Sequence, residues 1–149
     1  MQLSLHADYA CRVLIYLTAV PEASIPEIAK DYGVSYNHLV KVVHKLGQLG
    51  FIKTVRGKGG GIQLNKNPVE ISLGEVIRKM EPHFDIVECF NSKTNTCKIL
   101  PACRLNHALK EATQAFLKTL DRYTVEDFVA NKALVKTIFL RSKKELKSL

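Results

Sequence analysis

Three of the chain's four cysteines, Cys89, Cys97 and Cys103, fall inside the stretch CFNSKTNTCKILPAC with the spacing C-x7-C-x5-C. A thiol kept for packing behaves as a small hydrophobe among apolar neighbours. Cys89 and Cys97 are instead separated by Asn91, Ser92, Lys93, Thr94, Asn95 and Thr96, so the stretch reads as a site and not as core. In a reducing compartment, closely spaced cysteines hold a metal or do redox chemistry more often than they form structural bridges. The fourth, Cys11, lies among Ala10, Leu14 and Ile15 on an apolar N-terminal helix and is assigned to the core.

A second constellation is basic. The net charge is +8, and residues 27 to 66 carry seven basic side chains against two acidic ones, a surplus of five. Such a concentration suits a polyanion if the fold aims it. Ser24-Ile25-Pro26-Glu27 is a capping box with proline in the first turn, opening a short helix that Gly33 ends. Ser35 caps a second helix whose Leu39, Val42, Val43, Leu46 and Leu49 follow helical spacing and turn inward. Two helices joined at a glycine make a helix-turn-helix. FIKTV then alternates as a strand up to RGKGGG, and IQL returns as its partner, so the hairpin is a wing. On this reading Ser35, Tyr36, Asn37 and His38 meet base edges in the major groove, while Lys41 and Lys45 reach phosphates. In the wing, Arg56 and Lys58 supply charge and glycines such as Gly59 permit close approach to the sugar-phosphate chain.

The elements that must position both constellations can be read in outline. The fold class expected is mainly α with a small β wing, a winged helix-turn-helix plus a long dimerisation helix. Residues 1–80 form the DNA-binding domain, 81–104 the cysteine loop, and 105–149 the dimerisation helix and tail. Ser72-Leu73-Gly74-Glu75 opens a helix to about Met80. Leu105, Leu109, Ala112, Phe116 and Leu120 recur every three or four residues on the long helix, a stripe that calls for a partner helix. The expected partner is its copy in a homodimer, because half-sites on DNA lie about one turn, ~34 Å, apart. A further helix is expected from Thr124 onward, ending in a frayed RSKKELKSL.

Other functions are excluded by what is missing. No window reaches ~18 uninterrupted apolar residues, and the N-terminus has no basic region ahead of its apolar run, so the expectation is a cytoplasmic protein with no membrane partner. No G-x-S-x-G, H-E-x-x-H or P-loop is present, and His6, His38, His44, His83 and His107 are scattered, so no enzyme is expected.

The order of helix-turn-helix, wing VRGKGGG, three-cysteine loop and long helix resembles the Rrf2 family of bacterial transcription regulators from MQLSLHADYACRVLIYL to about Val129. Within it, ADYACRVLIYL, GVSYNHLVKVV, VRGKGGGIQL and ILPACRL are most similar to the nitric-oxide-sensing repressors. The resemblance implies a homodimer on double-stranded operator DNA that carries an iron-sulfur cluster on Cys89, Cys97 and Cys103 of each subunit. It also implies that nitrosylation or loss of the cluster releases the operator. A 4Fe-4S cluster is expected over 2Fe-2S by resemblance alone. Three thiolates leave one iron of a 4Fe-4S cluster without a protein ligand. Asp8 is the family's choice for that place, reaching across the dimer, with His107, one helical turn after Cys103, as the alternative and Asp85, Glu88 and water as further candidates. The residues are compatible on their own terms: clusters take thiolates, and structural zinc sites favour C-x2-C pairs, which are absent. A regulator of cluster biosynthesis shares the fold but typically has histidine three residues after the third cysteine, where this chain has Asn106. That function, a regulator of general redox or iron status, and a zinc-stabilised repressor stand as alternatives.

Overall fold

The computed structural model describes residues 2–57 and 60–145, the last six by backbone alone. Helix α1, Leu5–Ala19, is the central element. Ser4 caps it by accepting a hydrogen bond from the Ala7 N–H. Ala7, Ala10, Val13, Leu14, Tyr16 and Leu17 are buried almost completely along it. Each buried large aliphatic side chain contributes about 1.5 to 3 kcal/mol. Cys11 packs at the edge of this core, as its apolar neighbours predict.

Helix α2, Ile25–Tyr32, opens on the full capping box: the Ser24 hydroxyl accepts from the Glu27 N–H while the Glu27 carboxylate accepts from the Ser24 N–H. It ends at Gly33, whose φ of 64° is the left-handed conformation that favours glycine. Helix α3, Tyr36–Gln48, begins after Ser35, yet the Ser35 side chain makes no capping bond. Leu39, Val42, Val43 and Leu46 are its buried face, as their spacing requires.

Strands β1, Ile52–Thr54, and β2, Ile62–Leu64, pair antiparallel, with Ile52 opposite Leu64 and Thr54 opposite Ile62. Both isoleucines are buried, so the base of the wing is part of the core. Ile62 also exchanges backbone hydrogen bonds with Ala23, at 2.8 and 3.2 Å, which fastens the wing to the turn between α1 and α2. A Cβ at Gly61 would overlap the Ala23 carbonyl, and one at Gly60 the Val55 carbonyl. These two glycines answer to the hairpin itself.

Helix α4, Leu73–Met80, is capped by Ser72, which accepts from the Glu75 N–H. The Glu75 carboxylate turns instead to Lys79, so the capping box is half formed. An irregular stretch follows, broken only by short 3-10 turns at Glu88–Phe90 and Leu100–Ala102. Helix α5, Arg104–Leu120, packs on α4, and its C-terminal end is tied there by a two-pronged Arg78–Asp121 ion pair. The expected stripe is left largely uncovered within one chain: Leu105 is 64% exposed, Ala112 is exposed, and Leu109, Phe116 and Leu120 are half-buried. The positions α5 buries are Asn106 and Thr113.

The helix expected from Thr124 does not form there. Thr124 pairs with Ser72 as an isolated bridge, Val125 and Val129 enter the core, and Glu126–Phe128 is a 3-10 turn. Helix α6 runs later, Lys132–Glu145. Its Phe139 lies 4.6 Å from the Tyr16 ring and 5.1 Å from the Tyr32 ring, so the tail returns to α1 and α2. Residues 146–149 of the expected frayed end lie outside the described residues.

Candidate functional site

The first half of the site is the outer face of α3. Because its apolar residues are committed to the core, Ser35, Tyr36, Asn37, His38, Lys41 and Lys45 are all exposed, and Tyr36 keeps half its surface open. His44 and Gln48 extend the same surface. Arg56 is exposed two residues beyond β1, on the hairpin that Ala23 anchors. Lys58 and Gly59 lie outside the described residues. Tyr36 and Arg56 both line a cavity of about 470 Å³ between α3 and the wing, so helix and hairpin share one surface.

The orientation of this surface depends on how α2 is held. Tyr16 on α1 donates a hydrogen bond to the Asp31 carboxylate at 2.7 Å, and Tyr32 donates to the Arg12 carbonyl at 3.1 Å. Burial, with Asp31 beside it, pushes the Tyr16 hydroxyl far above its usual range. Burial pushes Tyr32 up to about 12, against the pull of the Arg12 guanidinium. Both tyrosines therefore stay neutral donors.

The second half is the thiol loop. Cys89, Cys97 and Cys103 are free and half-buried. The loop organises itself through side chain to backbone bonds, the local chemistry that Asn and Thr prefer. Glu88 accepts from both the N–H and the hydroxyl of Thr96, at 2.6 and 2.7 Å, and these bonds hold its carboxyl below the usual range. Asn91 accepts from the Lys93 N–H and Asn95 from the Cys97 N–H. Cys103 is the N-cap residue of α5, whose first turn has no side-chain cap. Cys89 is reached from α5: the Asn106 amide donates to its sulfur at 3.1 Å. Phe90 lies under the Lys110 ammonium at 5.8 Å.

The donor chemistry fits an iron-sulfur cluster, since three unpaired thiols share one loop and such clusters are held by cysteine sulfur. Among the described residues, no three His, Cys, Asp or Glu side chains converge as a metal-binding group. Asp8 is engaged elsewhere: its carboxylate accepts from Arg12 at 2.8 and 3.1 Å, one turn along α1. His107 is exposed. Asn106 had stood out in the sequence only as a departure from a histidine; its burial and its bond to Cys89 required the loop to fold back on α5, which no local signal announces.

An exposed basic helix behind a tight turn, with a wing anchored beside it, defines a winged helix-turn-helix regulator. The chain belongs to the Rrf2 family, described as iron-dependent transcriptional regulators, whose profile matches residues 3–131. It is 50% identical over 135 residues to the HTH-type transcriptional regulator NsrR of Bacillus subtilis strain 168, covering 89% of this chain and 92% of that one. To the NsrR of Shouchella clausii it is 49% identical over 134 residues, covering 88% and 90%. Among solved structures, the oxidised form of Staphylococcus aureus CymR superimposes with a TM-score of 0.69 at 25% identity, covering 88% of this chain and 98% of that one. T. potens IscR shares the fold with a TM-score of 0.67 at 23% identity, covering 87% and 86%. Among the described residues no helix is long and apolar enough to cross a membrane.

Proposed function

We propose that the protein is a cytoplasmic, homodimeric repressor that binds operator DNA and senses nitric oxide through an iron-sulfur cluster on its thiol loop. The observation that carries this reading is the joint presence, in one chain, of an exposed basic recognition helix and a loop of three free thiols seated on α5. The similarity to two NsrR regulators near 50% identity supports it. Cys89, Cys97 and Cys103 would hold the cluster, 4Fe-4S in preference to 2Fe-2S, with Asp8 of the other subunit as the fourth ligand and His107 as the alternative. When bound, such a cluster supplies iron that nitric oxide attacks. The chain's own part is to present α3 and the wing to DNA, to hold the thiols at the end of α5, and to offer the uncovered α5 stripe to a second copy. Of the three expected parts, residues 1–80 then read DNA, 81–104 sense, and within 105–149 α5 dimerises while the chain from Thr124 packs back on the first part.

The arrangement at Asn106 favours this function over regulation of cluster biosynthesis, because the position that would offer a histidine ligand holds an amide committed to Cys89. The test is a gel-shift series with protein purified without air, compared as cluster-loaded, nitric-oxide-treated and cluster-free, with iron and sulfide assayed in parallel. Loaded protein should bind duplex DNA tightly and the other two forms weakly. Equal affinity in all three forms would end the sensor reading, and a colourless protein with one zinc per chain would replace the cluster.

A further inference from the structure

Asn106 is 4% exposed, one of three buried polar residues among those described; the other two, Thr18 and Thr113, donate to the carbonyl four residues earlier in their own helix. A buried amide is costly to leave without a partner, and this one bonds to a cysteine sulfur 17 residues away in sequence. The next turn of α5 repeats the attachment, with Lys110 over the ring of Phe90. Adjacent residues of the Glu88–Phe90 turn are thus held by residues four apart on one helix face. Asn106 stands three residues after Cys103, so it lies on the same side of the helix as the third cysteine.

We propose that Asn106 is a positioning residue for the thiol loop. Its amide pins the Cys89 sulfur against the first turn of α5, the turn that Cys103 opens, before any metal arrives. Cys97 is held separately, its N–H donating to Asn95 and its carbonyl accepting from the Leu100 N–H, so the pin acts on Cys89 alone. The amide N–H also remains on the Cys89 sulfur once it is a ligand, a partner of the kind whose removal typically weakens metal binding by roughly 10- to 100-fold. This inference rests on the cluster reading for its purpose, though the pin itself is a property of the metal-free chain.

The experiment uses the full-length, reduced, cluster-free protein and two variants, Asn106→Leu, which keeps the branched outline without the donor, and Asn106→Ala, which suits a helix should the bulkier leucine variant fail to fold. Hydrogen exchange followed by mass spectrometry should show residues 87–97 exchanging faster in the variants while α1 and α3 exchange as before. Titration with cobalt(II) alone, read by its sulfur-to-cobalt absorption, should show affinity falling roughly 10- to 100-fold. Unchanged exchange in 87–97 overturns the pin. Faster exchange with unchanged cobalt affinity overturns the positioning role. If Cys89→Ser leaves cobalt binding by the otherwise unaltered chain unaffected, the metal reading of the loop fails and the positioning role with it, while the exchange data still decide whether the pin exists.

Discussion

Replacing Phe139 by alanine probes the least expected contact in the fold, the return of α6 onto the helix-turn-helix. Phe139 is half-buried between Tyr16 and Tyr32, with ring centroids at 4.6 and 5.1 Å. Full burial of phenylalanine is worth ~3 to 5 kcal/mol on truncation to alanine, so half of that is about 1.5 to 2.5 kcal/mol. The paired aromatic geometry adds ~0.5 to 1.5 kcal/mol beyond area. The variant should therefore lose about 2 to 4 kcal/mol of unfolding free energy, or roughly 4 to 16 °C in Tm for a chain of this size. Urea unfolding at fixed protomer concentration measures it, with the midpoint falling and the slope unchanged. A double-mutant cycle with Tyr32→Leu should return a coupling of ~0.5 to 1.5 kcal/mol. A loss below ~0.5 kcal/mol, or zero coupling, would show that α6 does not dock where the rings meet, and would refute the reasoning.

Three further outcomes follow from the same geometry. Neutralising Lys41 or Arg56 should weaken binding to all duplexes alike and lower the salt slope by about one per lost phosphate contact, whereas Asn37→Ala or His38→Ala should cost ~1 to 3 kcal/mol at particular base pairs; anisotropy titrations across salt and sequence separate them. Cys11, whose thiol burial raises to about 11 with the Asp8 carboxylate adding to the effect, should resist iodoacetamide at pH 8 while the loop cysteines of cluster-free protein react, as peptide mass spectrometry will report. Tyr32, raised from 10.0 to about 12, favours folding fully below pH 10, and that contribution should fade as pH rises through 12; Tyr32→Phe should flatten this alkaline loss in denaturation curves.

Much of the DNA-reading half was legible because its signals are local. The Ser24 capping box, the left-handed Gly33, the inward face Leu39, Val42, Val43 and Leu46, and the pairing of Ile52–Thr54 with Ile62–Leu64 all form where neighbouring residues say they should. The failures come where distant contacts outweigh a local preference. Thr124 carries a helix-start signature, and the Asp127 carboxylate does accept from its N–H at 2.6 Å. Yet the backbone of Val125 bonds to Ile71, and burying Val125 and Val129 fixes a 3-10 turn in place of a helix. Phe139 gave no hint of its partners, since Tyr16 and Tyr32 are more than a hundred residues away in sequence. The thiol loop was visible as chemistry, but Asn106 was not, because a lone asparagine in a helix carries no periodic signal of what it touches.

The anchoring of the wing through Ala23 bears on how such a regulator can diverge. Gly61 is required by its closeness to the Ala23 carbonyl, so a substitution there damages folding whatever DNA is present. Arg56, exposed at the free side of the same hairpin, has no such duty to the core. Substitutions that alter sequence preference on the open face of α3, or overall affinity for DNA at Arg56, therefore need not pass through unstable intermediates, whereas those at the base of the wing must.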